Sequence, residues 1–298
     1  MNQAYVFIKP HAVDNSKAIQ FVKDVFEKNH IKILSSGEVN GSEIAEKGLI
    51  DKHYAVNAKV GTIADPRDLH INAAAKEKFT ELFGKSWDEE LDAGRVMSGL
   101  EAIKKLALPS GVALRDIWDD YGTKKITGGV YVADFKKEGL FVLNGFYPSI
   151  REIFTEPSAR LLTFIVEFDP TQLSWEDFRG KVIGVTDPAN AHESSIRGYL
   201  HAHGKEECDI EVSCGSNVVH ASASPFEAFV EKTTWIDGFK PESDPLWQLL
   251  NKKGIGADRI TQLFDENPFI AHDGIEEHLV DLLEDKDTVL VADIIAGL

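Results

Sequence analysis

Residues 217–227 read NVVHASASPFE, a stretch in which a strand pattern is followed directly by a helix pattern. The two valines before His220 indicate the end of a buried strand. Residues 224–227 (SPFE) form a capping box with proline at the first helical position, so a helix is predicted to begin there. His220 is therefore predicted to lie where a strand ends and a capped helix follows, at a rigid position partly open to solvent.

A carboxylate on the predicted helix could control this histidine. Glu231 follows the cap residue Ser224 by two helical turns, so it lies on the same helix face. There it could accept a proton from one imidazole nitrogen of His220, which would fix the tautomer and leave the other nitrogen as a nucleophile. Ser222 could hydrogen-bond beside the ring. Taken alone, however, His220 is more readily explained as an ordinary histidine at a strand end.

Two further segments carry groups that suit phosphate oxygens. The loop predicted at 184–198 holds Thr186 and Arg197, which offer a hydroxyl and a guanidinium fork. Lys9 ends a buried strand predicted at 4–9. Each segment also has a simpler explanation: the first as a surface loop rich in turn formers, the second as a lysine that solvates a strand edge.

The order of these segments along the chain resembles the nucleoside diphosphate kinase family. No single segment is specific, but the last two have nearly the family spacing. The matching positions are Lys9-Pro10, His53-Tyr54, Phe146-Tyr147-Pro148, Thr186-Asp187-Pro188-Ala189 with Ile196-Arg197-Gly198, and Asn217, His220, Ser222 and Ser224.

The resemblance implies an α+β fold of the ferredoxin-like type, a four-stranded antiparallel sheet with flanking helices. It covers residues 1–56 and 143–236, which would form one discontinuous nucleoside diphosphate kinase-like domain. Residues 57–142 would be an insertion of helices and a hairpin, and residues 237–298 would be a helical C-terminal extension. We expect the insertion and the extension together to build an added, mainly helical subdomain.

The resemblance also implies an activity: the transfer of the γ-phosphate of a nucleoside triphosphate to a nucleoside diphosphate by a ping-pong reaction. The phosphate would pass through a phosphohistidine at His220. The nucleotides would be ATP, GTP, ADP and GDP, with Mg²⁺ bound through their phosphates and no metal held by the protein. The implied catalytic residues are His220, Glu231 to orient the ring, Lys9, Tyr54 and Ser222.

The implied nucleotide site divides into phosphate, sugar and base contacts. Lys9, Thr186 and Arg197 match phosphate-contacting residues. Asn217, together with Lys9, matches residues that hold the ribose hydroxyls. Phe146 matches the aromatic residue that stacks on the base. Contacts to the sugar, the phosphates and the face of the base carry little base information, so broad nucleotide acceptance is expected.

The chain departs from the family pattern four residues before Gly184, where the family has an arginine and this chain has Gly180. Arg179 and Lys181 flank that glycine, and either could supply the charge; we assign Arg179 to the nucleotide site. On a regular helix, a shift of one residue rotates a side chain by about 100°. An alternative hypothesis is therefore a catalytically weak or inactive nucleotide-binding or scaffold protein on the same fold. Smaller departures are Ala221, Ala223 and Asp187.

A third hypothesis is a metal site built from His192, His201 and His203. A solvated polar loop is the simpler explanation of these histidines. Cys208 and Cys214 lie nearby, but they lack the C-x₂₋₄-C spacing of common zinc sites.

Composition and charge limit the partners and the compartment. With 32 Lys+Arg against 49 Asp+Glu, the formal net charge is −17, which argues against nucleic acid and anionic lipid as partners. Two cysteines cannot build a disulfide framework, and no apolar stretch reaches the roughly 18 residues of a membrane span, so we expect a cytoplasmic protein. Members of the family commonly form hexamers or tetramers. A large insertion would block such contacts, so we expect a dimer rather than a hexamer.

Overall fold

The structure, a computed structural model, describes residues 1–272 and 275–298. The chain forms two compact units. The first unit contains residues 1–40 and 160–298, and the second contains residues 41–159.

The helices and strands are numbered here in chain order. The first segment of the first unit contains β1 (Asn2–Ile8), α1 (Ser16–Lys28) and β2 (Lys32–Asn40). The second unit contains α2 (Gly41–Lys47), α3 (Leu49–His53), α4 (Ala55–Thr62), α5 (Ala73–Phe83), α6 (Trp87–Asp92), β3 (Val96–Ser98), α7 (Gly99–Lys105), α8 (Gly111–Tyr121), β4 (Lys124–Thr127), β5 (Val130–Phe135), β6 (Leu140–Leu143) and α9 (Tyr147–Thr155). The first unit then resumes with β7 (Arg160–Phe168), α10 (Trp175–Asp177), a π-helical turn (Phe178–Ile183), α11 (Ile196–Cys208), β8 (Val219–Ala221), α12 (Pro225–Trp235), α13 (Pro245–Asn251), α14 (Ala257–Glu266), β9 (Phe269–His272), β10 (Ile275–His278), α15 (Leu279–Leu283) and α16 (Thr288–Ala296).

The first unit is built on an antiparallel sheet in the order β2-β7-β1-β8. β1 pairs along its full length with β7, and its second half pairs with β8. The chain reaches β2 through α1 and reaches β8 through α11, which gives the β-α-β-β-α-β order of a ferredoxin-like fold. The predicted fold class, an α+β chain with an antiparallel sheet and flanking helices, is confirmed.

Both faces of β1 are buried because each meets a different layer. Val6 and Ile8 point into a core that is shared with α1 and α11. Tyr5 and Phe7 point to the opposite face, where their rings pack on Trp235 of α12 at centroid distances of 6.4 and 5.8 Å. A strand covered on both sides does not alternate polar and apolar residues, which explains the continuous apolar run in the sequence.

The C-terminal extension packs on α12 and completes the first unit. Phe226 and Phe229 of α12 are fully buried. They share a core with residues from all four tail helices, among them Leu246, Leu250, Ile260, Leu263, Leu279, Leu283, Val291 and Ile295. Asn2, also fully buried, accepts a hydrogen bond at its Oδ1 from the N–H of Thr288, which begins α16, at 3.0 Å. The expectation that the extension and the insertion share one subdomain is wrong, because the extension belongs to the first unit and the insertion to the second.

The second unit is built on its own sheet in the order β3-β6-β5-β4. The hairpin predicted at 129–143 is confirmed as β5 and β6, and β3 joins it in parallel. Its two faces are covered by two separate cores, one containing Val132 and Phe141 and the other containing Phe135 and Val142.

The boundaries of the second unit lie outside the predicted insertion. α9 packs against α2, α4 and α8, so residues 41–56 and 143–159 group with the insertion and not with the sheet of the first unit. The sequence placed these residues by their match to a family pattern. The grouping in space depends instead on which helix faces are packed together.

Two further elements differ from the sequence prediction. The loop predicted at 184–198 ends early, because α11 begins at Ile196. The helical pattern at 275–284 is a strand, β10, followed by the short helix α15. α11 escaped prediction because its apolar stripe is sparse: polar side chains and two glycines surround Leu200.

Among the helices of residues 1–272 and 275–298, none combines the length and the apolar character that crossing a membrane would require.

The buried ion pair between Lys232 and Asp244 gives a first prediction. Lys232, on α12, is fully buried, and Asp244 caps α13 by accepting from the N–H of Leu246 at 2.8 Å. Asp244→Ala would leave the ammonium group without its counter-charge inside the core. We expect the free energy of unfolding, measured by urea denaturation, to fall by about 3–5 kcal/mol.

Asp293→Ala is the matched control for this substitution. It breaks an ion pair with Lys253 of 2.8 Å whose two side chains are 42% and 60% exposed. An exposed pair of this kind contributes about 1 kcal/mol or less. Equal losses in the two variants would show that burial does not set the contribution of Asp244.

Candidate active site around His220

The pairing of β8 with β1 places His220. His220 lies opposite Phe7 in the register, so the two side chains share one face of the sheet. Their rings stack at a centroid distance of 4.6 Å and an interplanar angle of 21°. Lys9 follows Phe7 by two residues and is half-buried at the end of β1. Phe7 was not among the predicted site residues, and the register of two short strands is the signal that would have identified it.

A strained turn leads into β8. The N–H of Val219 donates to the carbonyl of Asn217 at 2.8 Å, and Val218 between them has φ +67°. This is a γ-turn in a region that a β-branched residue rarely adopts, and such strain costs about 1–3 kcal/mol. The carbonyl of Val218 accepts from the N–H of Lys9 at 2.8 Å. That bond ties the turn to the end of β1, so the ring of His220 is set by two neighbouring strands.

Glu231 and Ser222 fix the orientation of the imidazole. Nε2 of His220 lies 2.7 Å from Oε1 of Glu231, and the hydroxyl of Ser222 donates to the other carboxylate oxygen. Oγ of Ser222 accepts from the N–H of Tyr5 at 3.0 Å. With the proton of the neutral ring on Nε2, the lone pair lies on Nδ1. The contact predicted from the helix face is confirmed.

Burial and three cations hold the ring neutral. Burial lowers the pKa of His220 well below its usual value, and the charges of Lys9, Arg197 and Arg179 lower it further. A histidine with a lowered pKa is uncharged at neutral pH and so keeps its lone pair. The same three cations make this a place where an anion would be attracted in an acidic protein.

Arg197 lies in the first turn of α11 and not on the predicted loop. Its guanidinium is buried and donates to the carbonyls of Gly184 and Val219, each at 2.8 Å. These bonds tie the segment before α11 to the strand that carries His220. Gly184 has φ +94°, and a Cβ there would come within 2.5 Å of Oγ of Ser195, so only glycine fits.

Asn217 and Thr186 are brought together by a side-chain contact. Nδ2 of Asn217 donates to the carbonyl of Thr186 at 2.8 Å. The amide of Asn217 is buried, whereas Thr186 is exposed. Within the described residues, Oδ1 of Asn217 has no hydrogen-bond partner. Their roles toward phosphate and ribose stay predictions.

The π-helical turn at 178–183 changes the position of Arg179. The N–H of Gly184 donates to the carbonyl of Arg179 at 2.9 Å, a bond that spans five residues. In an α-helix the bond spans four residues, and the residue one turn below Gly184 would be Gly180. The π-helical turn contains one residue more than an α-helical turn. Arg179 therefore occupies the position that an arginine four residues before Gly184 would hold in a regular helix.

Of the two cations that flank Gly180, only Arg179 is among the charges that lower the pKa of His220. Lys181 pairs with Asp177 at 2.8 Å, and its side chain is 68% exposed. Arg179 bonds instead to Glu284 and Asp285 of the C-terminal extension. No sequence pattern pointed to these two acidic residues, because they lie about 100 positions farther along the chain.

Glu227, predicted only as part of a helix cap, carries a second carboxyl group on α12, one turn before Glu231. Burial, with the charge of Glu231 one turn away, raises the pKa of Glu227 to about 8. Its carboxyl group accepts from the N–H of Ala223. The signal in the sequence was its place in the capping box, three residues after Ser224, where a Glu side chain folds back toward the start of the helix.

Two solved structures show what this chain is similar to; no protein-family model and no curated protein matches its sequence. The apo nucleoside diphosphate kinase from Encephalitozoon cuniculi is 17% identical, with a TM-score of 0.38, and the similarity covers 79% of this chain and 89% of that chain. A nucleoside diphosphate kinase family protein from Babesia bovis is 14% identical, with a TM-score of 0.39, and coverage is 81% and 90%. At TM-scores below 0.5, neither similarity assigns an activity to this chain.

Tyr54 and Phe146, the other two predicted site residues, belong to the second unit. Tyr54 lies between α3 and α4 with its ring against that of His53, at a centroid distance of 4.4 Å. Phe146 precedes α9, and its ring packs edge-on against Trp118 and Tyr131 at 5.8 and 5.6 Å. Part of the Phe146 ring is thus used in the core of the second unit. Its stacking on a base stays a prediction.

The three histidines of the metal hypothesis make separate contacts. His192 bonds to Ser194 at 2.8 Å, His201 to the carbonyl of Val212 at 3.2 Å, and the ring of His203 packs on Tyr199. Across residues 1–272 and 275–298, these three do not gather into a group that could hold a metal ion.

Proposed function

We propose that this protein is a nucleoside diphosphate kinase that transfers a γ-phosphate through a phosphohistidine at His220. The observation that carries the proposal is the imidazole held by Glu231 and Ser222 beside three cationic side chains. A histidine that attacks phosphorus needs a fixed lone pair, and a polyanionic substrate needs local positive charge in a protein with a net charge of −17. Both conditions meet at His220.

In the first half-reaction, Nδ1 of His220 donates its lone pair to the γ-phosphorus while the bond from that phosphorus to the bridging oxygen breaks. The electron pair of the broken bond leaves with the nucleoside diphosphate. The phosphorylated ring gains positive charge, which the carboxylate of Glu231 stabilises. In the second half-reaction, a β-phosphate oxygen of the acceptor attacks, and the P–N electrons return to Nδ1. Positioning and charge stabilisation dominate such transfers, and Lys9, Arg179 and Arg197 would supply them.

Mg²⁺ would enter as part of the nucleotide substrate. Both carboxylate oxygens of Glu231 are already bonded, one to His220 and one to Ser222. The carboxylate of Asp187 bonds to the side chain of Asn190 at 2.7 Å. Mg²⁺ favours oxygen ligands such as those of phosphate, so the nucleotide would carry the metal into the site.

The nucleotide would be held by its sugar and phosphates more than by its base. Asn217 and Lys9 would contact the ribose, and Phe146 would stack on the base. ATP, GTP, ADP and GDP would all be accepted, because stacking does not read the base edges. The assembly would be a dimer rather than a hexamer, which sedimentation velocity would distinguish.

A second candidate is a nucleotide-binding or scaffold protein with little transfer activity. The glycine at position 180 and the bonds from Arg179 to Glu284 and Asp285 favour it, since they reduce the charge open to a phosphate. Such a protein would bind nucleotides without being phosphorylated.

Incubation with Mg²⁺ and ATP labelled at the γ-phosphate separates the two candidates. The kinase proposal requires label on the intact protein that is stable in base, is lost in acid, and passes to added GDP. Calorimetry on the same preparation measures nucleotide binding. Binding without any label on the protein would overturn the kinase proposal and favour the scaffold.

The lowered pKa of His220 predicts the pH dependence of its phosphorylation. A free histidine loses half of its neutral form at about pH 6.5. Because burial and the nearby cations lower the pKa of His220, the neutral form persists below that pH, and the single-turnover rate should stay level as pH falls through about 6.5. Arg179→Ala removes one cation, so its normalised profile should decline at higher pH than the wild type. A wild-type rate that is halved near pH 6.5 would contradict the lowered pKa.

A further inference from the structure

Two carboxylates of the C-terminal extension contact the cation that the π-helical turn brings toward His220. Oε2 of Glu284 and Oδ1 of Asp285 both accept from Nη1 of Arg179, at 3.2 and 2.7 Å. We propose that Glu284 and Asp285 are positioning residues, which hold Arg179 in the orientation that meets the transferred phosphate. This inference rests on the proposed function. The extension, which lies outside the stretch that matches the family pattern, thereby completes the active site.

The segment that carries the two carboxylates is fixed on both sides. Leu283, before it, is fully buried in the tail core. The N–H of Asp285 donates to the carbonyl of Ala223 at 3.1 Å, which joins it to the loop between β8 and α12. Asp287, after it, accepts from the N–H of Trp175 at 2.8 Å. If the two carboxylates competed with the phosphate for Arg179, their segment would have to move away when substrate binds. Because these contacts hold the segment in place, a positioning role fits better than competition.

Arg179 has the properties of a side chain that gains from being held. It is 28% exposed, so part of the guanidinium can be reached by a ligand. Its charge already acts at the ring, since it contributes to the lowered pKa of His220. A long side chain on the surface otherwise samples many rotamers, and fixing it before substrate arrives removes that entropic loss from the binding step. Two carboxylates that bond to Nη1 can fix the side chain of Arg179 while the other nitrogens of its guanidinium face the ligand.

The experiment neutralises the two carboxylates in two backgrounds, the wild-type chain and the Arg179→Ala variant, each with residues 1–298. In the wild type, Glu284→Gln with Asp285→Asn should lower kcat/KM for GDP phosphorylation by ATP about tenfold, because Arg179 loses its orientation. In an Arg179→Ala background the same pair should raise kcat/KM or leave it unchanged, because only repulsion between the carboxylates and the substrate remains. This change of sign is a readout that a merely structural role would not produce.

The matched control removes two other carboxylates from the same extension. Glu266→Gln with Asp293→Asn breaks the pairs with Arg259 and Lys253 and changes the net charge equally. It should leave kcat/KM unchanged. Thermal unfolding of every variant checks that the fold is retained.

Three results would overturn the positioning role. A faster enzyme on neutralising Glu284 and Asp285 in the wild type would make the pair a competitor for phosphate. Equal losses with and without Arg179 would make the pair structural, and no loss in the wild type would remove the role. If His220 takes up no label in the wild type, the proposed function fails and this inference fails with it. Labelling at His220 with transfer insensitive to the pair would refute this inference alone.

Discussion

Replacing His220 with glycine is expected to abolish phosphoryl transfer. The phosphohistidine would be an obligatory intermediate, because the ping-pong reaction transfers the phosphate to the acceptor only from that ring. Loss of a nucleophile typically lowers the rate by about 10⁴–10⁶-fold. The rate that remains comes from substrate binding and charge stabilisation. The measurement is GTP formation from GDP and ATP, with labelling of the intact protein alongside.

Added imidazole gives this variant a sharper test. His220→Gly leaves a gap between the ring of Phe7, which stacks at 4.6 Å, and the carboxylate of Glu231, at 2.7 Å from Nε2. Free imidazole that enters the gap can bond to Glu231 and attack phosphorus, so transfer should recover in part. Adding Glu231→Ala to His220→Gly should reduce that recovery.

His203→Ala is the control for the loss of a histidine. Its side chain is exposed on α11, and its ring packs on Tyr199. Labelling and turnover should equal those of the wild type. Full activity in His220→Gly would remove His220 from the reaction. Loss of activity in His203→Ala would show that the effect of His220→Gly is not specific to His220.

Ending the chain after Ile236 is expected to prevent the first unit from folding. The truncation uncovers Phe226 and Phe229, each of which contributes about 1.5–3 kcal/mol when fully buried. It also removes Asp244 from Lys232, which leaves an unpaired charge in the interior at a cost of about 3–5 kcal/mol. These losses together match the total stability of an ordinary domain, about 5–15 kcal/mol. Near-ultraviolet circular dichroism and size-exclusion chromatography would show an expanded or aggregated chain.

A shorter truncation serves as the control. Ending the chain after Ala296 removes only Gly297 and Leu298, which are exposed. This variant should unfold cooperatively at nearly the wild-type temperature. If the chain that ends at Ile236 also unfolds cooperatively, the extension is an accessory and not part of the first unit.

The parts of the site that were predictable lie close together in the sequence. Ser222, Ser224 and Glu231 are all within eleven residues of His220, and strand and helix geometry fix their relative positions. A capping box starts the helix at a known residue, and helical periodicity then places Glu231 on the face toward the ring. Local rules were sufficient there, because few alternative conformations satisfy them.

The neighbours of Arg179 could not be predicted in the same way. Its position depends on a π-helical turn, in which hydrogen bonds span five residues rather than four, and no residue in FRGKVI (178–183) signals that choice. Its partners Glu284 and Asp285 come from a segment whose packing depends on the whole tail core. Long-range pairing of this kind is decided by the total packing of helices and not by any local propensity.

The chain sequence alone therefore specified the strand-histidine-helix junction and the pairing of His220 with Glu231, because both follow from periodicity and capping over short distances. The antiparallel sheet was instead predicted through the resemblance to a known family. The folded structure decided that the extension joins the unit of the histidine while the insertion builds its own sheet. It also decided that, of the two cations that flank Gly180, it is Arg179 whose charge acts on His220. These outcomes depend on which apolar faces bury one another, and many distant segments compete for that burial until the whole chain is packed.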